Sequence, residues 1–227
     1  MTDTPDGTNR GEMPATPPPP PPTPAAPARP MGELGRAAQI AVGVSTLVVA
    51  LLAWSQWDRS QVATDFRDGA SGASFDDLVS ADDRVQLFAG IFLVALLVSG
   101  IIFLVWFHRA YSNLAQRGVA KHAAGWAIGA WFVPFLNFWR PAKMTQELLD
   151  DGRGEGTNPS GFMWAWWVLF MVGSVLDRGF NQTDTLDNAI TSDQMGAVGG
   201  IMWVGAGTFL IVLIGQICSR AAARTAA

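Results

Sequence analysis

The chain has 227 residues, 49% of them hydrophobic and 15% charged, with ten tryptophans and thirteen phenylalanines against a single tyrosine. Its one cysteine, Cys218, excludes an intramolecular disulfide and a cysteine-cluster metal site, and two histidines, His108 and His122, leave little for metal or haem ligation. The net charge is −4, and it hides a strong asymmetry between segments.

The apolar residues come in blocks. Charge-free runs cover 37–57, 85–107, 123–139, 156–176 and 194–219. A membrane span needs roughly 17–25 mostly apolar residues. A water-soluble helix would carry charges on an outward face, and these runs carry none. The chain therefore reads as a polytopic membrane protein.

Residues 1–30 hold eleven of the fourteen prolines, including the unbroken run Pro17 to Pro22, and no aromatic residue. Such a segment cannot bury a core and is expected to be disordered, with polyproline II character. It lacks the apolar stretch of a signal peptide. The first span is expected over 37–57, with Trp54 and Trp57 at its far end as interfacial residues. An Asp-, Ser- and Gly-rich loop, 58–84, follows. The second span, 85–107, is the most aliphatic and runs on into His108-Arg109-Ala110-Tyr111-Ser112-Asn113-Leu114, with a helix stop at Arg117-Gly118.

Residues 123–139, AAGWAIGAWFVPFLNFW, are apolar and aromatic but short, broken by Pro134 and marked by Asn137. The Gly125–Gly129 pair would let this segment press against another helix. Pro141 suits the first turn of a new helix, and 141–151 reads as a short amphipathic helix with Met144, Leu148 and Leu149 on its apolar side. A loop, 152–160, leads to a third span over 161–178, where Trp164, Trp166 and Trp167 read as an aromatic belt. A second acidic loop precedes the fourth span, 195–218, in which Gly196 and Gly200 form a small-xxx-small pair for close helix approach. Residues 221–227 read as a short tail.

Charge decides between four spans and five. Cytoplasmic segments are enriched in Lys and Arg. If 123–139 does not cross, eleven of the fifteen basic residues lie on the inner side and only Arg59, Arg67, Arg84 and Arg178 outside. If it crosses, the bias disappears. Eleven of the nineteen acidic residues fall in the two outer segments of the four-span arrangement. The expected fold is thus an all-α integral membrane protein of the cell membrane. It has four transmembrane helices, both termini cytoplasmic, a re-entrant or interfacial segment at 123–139 and an amphipathic helix on the cytoplasmic side. Its domain covers 36–220, after a proline-rich tail over 1–35.

The stretches WFHRAYSNL (106–114) and GWAIGAWFVPFLNFWRPAKMTQELL (125–149) resemble an actinobacterial membrane family, domain of unknown function 4328. The match runs through Arg109, Asn113, Trp131, Pro134, Asn137, Trp139, Arg140, Pro141 and Glu147. The resemblance implies a membrane fold and supplies no activity.

The candidate cluster is Arg109, Asn113, Pro134, Asn137, Trp139, Arg140, Pro141 and Glu147. Arg109 and Asn113 share a helix face, being four apart, and Arg140 and Glu147, seven apart, share another. These groups lie at the inner membrane boundary. They suit either an anionic headgroup, with arginine as the bidentate donor, or an internal clamp. In the clamp, Arg109 or Arg140 pairs with Glu147, while Asn113 and Asn137 bond carbonyls freed around Pro134. No phosphate loop, serine hydrolase or zinc-protease motif is present, and no ionisable residue lies at the centre of a span, as a proton-coupled transporter would need. No catalytic role, cofactor, metal or nucleic-acid partner is expected. The lipid bilayer is the expected partner. The function expected is a non-enzymatic accessory or scaffold protein whose proline-rich tail binds a cytoplasmic protein; the alternative is a small transporter or lipid- or solute-binding module using 109–147.

Overall fold

A computed structural model describes residues 30–151, 161–179 and 184–225. The tail expected over 1–35, apart from its last six residues, and the loop 152–160 lie outside the described residues. Every regular element described is a helix. In chain order these are α1 (Gly32–Arg67), α2 (Phe75–Gln116), α3 (Trp126–Phe132), α4 (Pro134–Asn137), α5 (Arg140–Asp150), α6 (Gly161–Gly179) and α7 (Leu186–Thr225).

Among the described residues, α1, α2 and α7 are long and apolar enough to cross a membrane, while α6 is apolar but shorter. At 1.5 Å per residue the 42 residues of α2 extend about 63 Å, twice the roughly 30 Å hydrocarbon layer. The loop expected over 58–84 is therefore mostly helix: α1 runs on to Arg67, α2 starts at Phe75, and only seven residues connect them. Charge alone misleads there. Ser74 and Asp77 form a reciprocal capping box that starts α2 well before its apolar run. The acidic segment before the expected fourth span is likewise helical from Leu186, and the tail expected over 221–227 continues α7 as far as Thr225.

The long helices are antiparallel neighbours in the spatial order α2, α1, α7, α6; α2 and α6 do not touch. Close approach of α1 and α7 depends on glycine. A Cβ at Gly200 would lie 2.6 Å from the Ala53 Cβ, and one at Gly196 would lie 2.7 Å from the Gln56 amide. Gly207 meets Thr46 in the same way. The small-xxx-small pair thus permits the close helix approach expected from the sequence, and the helix it meets is α1. The same helix meets α6 through Gly199 and Gly205. Gln39 adds an interhelical bond, donating to the Ile211 carbonyl at 2.9 Å. Such bonds average only about 0.6 kcal/mol in membrane helices, so packing dominates.

The bundle has two chemically distinct ends. At one, Arg59 bridges Asp193 (Nε to Oδ2, 2.7 Å) and Asp82, Arg84 pairs with Asp58, and Arg67 with Asp187 at 2.9 Å. At the other, the start of α1, the ends of α2 and α7 and the whole of α3–α5 meet. Arg109 donates to the Pro30 carbonyl at 3.3 Å, Arg220 to the Leu149 carbonyl, and both Arg117 and Arg224 hold Asp151. The first helix therefore begins on the side where the last one ends.

Candidate functional site

The site is built on the segment between α2 and α6. Gly118 takes a left-handed conformation (φ +71°) and stops α2. The chain then turns inward through α3. Val133 is extended (φ −91°, ψ 112°), as a residue preceding proline prefers, and Pro134 opens the single turn of α4. A second bend at Trp139 leads into α5, whose first turn holds Pro141.

Neighbours fix how deep this path goes. His122 stands beside Tyr111, and Trp131 lies two turns deeper, against Phe103 and Phe107 of α2 and Trp167 and Phe170 of α6. The chain then returns. The Phe138 carbonyl accepts from Trp167 Nε1 at 3.0 Å, Arg140 lies over the Trp126 ring at 5.3 Å, and Glu147 reaches Tyr111. Both arms of this hairpin open on the same end of the bundle.

A buried carboxylate ties the arms together. Glu147 of α5 is 8% exposed. Its Oε2 accepts from the Tyr111 O–H at 2.5 Å and the Lys121 N–H at 3.1 Å, and its Oε1 lies 2.8 Å from His122 Nδ1. The His122 N–H in turn donates to the Tyr111 oxygen at 3.1 Å. The expected clamp exists with different members. Neither Arg109 nor Arg140 pairs with Glu147; its partners are the Tyr111 phenol, His122 and the Lys121 backbone N–H.

The remaining candidates are dispersed. Arg109 reaches back to the start of α1, and Asn113 lines a separate cleft between α1, α2 and α7 together with Arg117 and Arg224. Arg140 sits on Trp126 with its Nε buried and without a partner, and Asn137 Oδ1 is likewise buried and unpartnered. The carbonyl of Phe138, near Pro134, accepts from Trp167 rather than from Asn137. Trp139 is half-exposed and Pro134 exposed, whereas Pro141 is buried in the first turn of α5. Met144, Leu148 and Leu149 are buried, as the amphipathic reading of α5 requires. Gly125 has open space around it, and Gly129 meets only the ring of Trp126, so that pair mediates no helix contact. Trp166 and Trp167 are core residues, 2% and 4% exposed; only Trp164 faces outward. The aromatic belt expected at 164–167 reduces to one residue, because α6 turns two of its tryptophans toward the hairpin and α7.

Tyr111, His122 and Trp131 complete the site. Phe103, Phe107 and Tyr111 recur at four-residue steps with Trp106, Ala110 and Leu114, all buried. That spacing was a readable signal of the inward face of α2. His122, in a turn with no periodicity, gave none.

Above the hairpin lies a chamber of about 250 Å³. Helices α1, α2, α6 and α7 wall it, and Trp131 forms one end. Its only hydroxyls, on Ser45, Thr46 and Ser99, donate to the carbonyls of Ala95 (2.9 Å), Val42 (2.8 Å) and Leu96 (3.2 Å). The lining is otherwise apolar. Trp131 and Trp203 span the gap between α2 and α6, the latter through Phe92 and Phe170. Among the described residues no group of His, Cys, Asp and Glu could hold a metal ion.

Residues 70–219 match the family model described as Domain of unknown function (DUF4328). No curated protein and no solved structure matches the chain.

Proposed function

The chain belongs to the DUF4328 family, and on that premise we propose that it is a four-span integral membrane protein acting as a lipid- or solute-binding module rather than as an enzyme. The observation that carries this reading is the hairpin. It leaves one end of the bundle, turns at Pro134 beneath an apolar chamber and returns to the same end, so it shapes an interior without adding a crossing. Non-helical backbone at membrane depth is tolerated only where protein or a cavity satisfies it. Trp167 and His108, whose Nδ1 lies 3.1 Å from the Ala124 carbonyl, serve that purpose. The spans are 37–57, 85–107, 161–178 and 195–218. The basic end faces the cytoplasm of a cell-membrane protein by the excess of Lys and Arg there. The alternative, a scaffold recruiting a partner through its proline-rich tail over 1–35, rests on that tail and on the lack of catalytic motifs and of ionisable residues at the span centres, and draws no support from the chamber.

Single cysteines at Gly118, Lys143 and Ser71, placed in a Cys218→Ser background, test the topology with a membrane-impermeant thiol reagent. Gly118 and Lys143 flank the hairpin and should label from one side, and Ser71 from the other. Labelling of the two flanking positions from opposite sides would sink the re-entrant arrangement.

A further inference from the structure

The geometry points to a single acyl chain as the occupant of the chamber, inserted sideways through the seam between α2 and α6. This deepens the binding-module reading and rests on it. An apolar cavity of about 150 Å³ stays dry and takes a benzene-sized guest; this one is larger, at about 250 Å³. Its hydroxyl donors are spent on backbone carbonyls, so its walls offer hydrocarbon and aromatic rings and little else. A solute with several polar groups would find no partners there beyond the indole N–H groups of Trp131 and Trp203 to replace the hydrogen bonds it loses to water.

The bundle also provides a route of access. No Cα of α2 lies within 8 Å of one in α6, yet both helices line the chamber, α2 through Phe92, Leu96 and Phe103 and α6 through Trp166 and Phe170. In a bilayer that gap opens onto lipid tails. Gly100 lines the chamber on the α2 side, and a Cβ there would meet nothing within 4 Å. At the hairpin end, Trp131 has its indole N–H buried without an acceptor. An ester or carboxyl oxygen at the head of the chain would satisfy it, and Arg140 stands on the outgoing arm toward the basic end. The hydrocarbon could belong to a phospholipid or to a free fatty acid; both present the same chain and the same oxygen.

Gly100→Phe adds a ring at the chamber wall, where a Cβ meets nothing within 4 Å, and Gly90→Phe, on the same helix but outside the chamber, is its control. Full-length protein is delipidated by detergent exchange, and native mass spectrometry is recorded with added palmitate or dipalmitoyl phosphatidylglycerol. Wild type and Gly90→Phe should hold one equivalent, and Gly100→Phe should hold at least tenfold less. Retention of palmitate alone would assign the free acid, and retention of the phospholipid the membrane lipid. Equal retention by all three proteins, or none by the wild type, would overturn the proposal. Thiol labelling of the Gly118→Cys and Lys143→Cys variants is read in membrane vesicles before solubilisation, so loss of lipid binding with same-side labelling counts against the acyl-chain site alone.

Discussion

Glu147 is the residue on which the hairpin turns. A carboxylate at 8% exposure needs its acceptor sites filled, and Tyr111, His122 and Lys121 fill them. Tyr111→Phe removes the shortest of these bonds and leaves the carboxylate under-satisfied. A hydrogen bond to a charged group is worth about 1.5–3 kcal/mol, so the variant should melt several degrees lower in detergent. Hydrogen exchange should rise in 119–150 and not in α1. Uniform loss of protection would show instead that the carboxylate supports the whole bundle. Asp151 sits at the end of α5 in a left-handed conformation. Burial opposes its ionisation, but Arg117 and Arg224 outweigh it and hold the carboxyl below its ordinary value of 3.8. Because the folded value is the depressed one, this tether is fully present above the unfolded pKa and is lost as pH falls through the folded value, below about 3.8. Asp151→Asn should flatten that acid-side loss in a pH series of melting temperatures. An unchanged acid limb would remove Asp151 from the account.

The elements are joined by two devices of opposite chemistry. Where α1 meets α7, small residues bring backbones together. Gly200→Leu would drive its side chain into Ala53 and should separate the helices, seen as loss of a disulfide cross-link engineered between them. Gly125→Ala, in open space, should leave the cross-link intact. At the acidic end, Arg59 is clamped between Asp193, 4% exposed, and Asp82. Removing one partner of a buried pair costs about 3–5 kcal/mol, since the other charge stays behind. Arg59→Ala should therefore destabilise more than Arg67→Ala, whose partners Asp68 and Asp187 are exposed. Equal melting temperatures would show that water reaches Asp193. The sequence placed Arg59 and Asp193 in separate loops. It could not show their pairing, because the helices bearing them continue past the apolar runs.

For the whole molecule, Trp131 is the link that matters. No Cα of α2 lies within 8 Å of one in α6; Trp131 packs edge-on against Phe103, Phe107, Trp167 and Phe170 between them, and Trp203 adds a second bridge through Phe92 and Phe170. Trp131→Ala should cost about 3 kcal/mol or more through the void it leaves. It should also raise hydrogen exchange in α6 more than in α1; equal changes would show that α7 alone holds α6. The number of apolar blocks, the Gly196–Gly200 face, the amphipathic α5 and the break at Pro134 were all determined by the sequence, because each depends on local spacing and on residue chemistry within one element. Tertiary structure alone decided the partners of Glu147, the inward turn of Trp166 and Trp167, and the chamber itself. Those depend on which helix faces which, and a hairpin that returns to its own side brings together residues that no spacing in the chain relates.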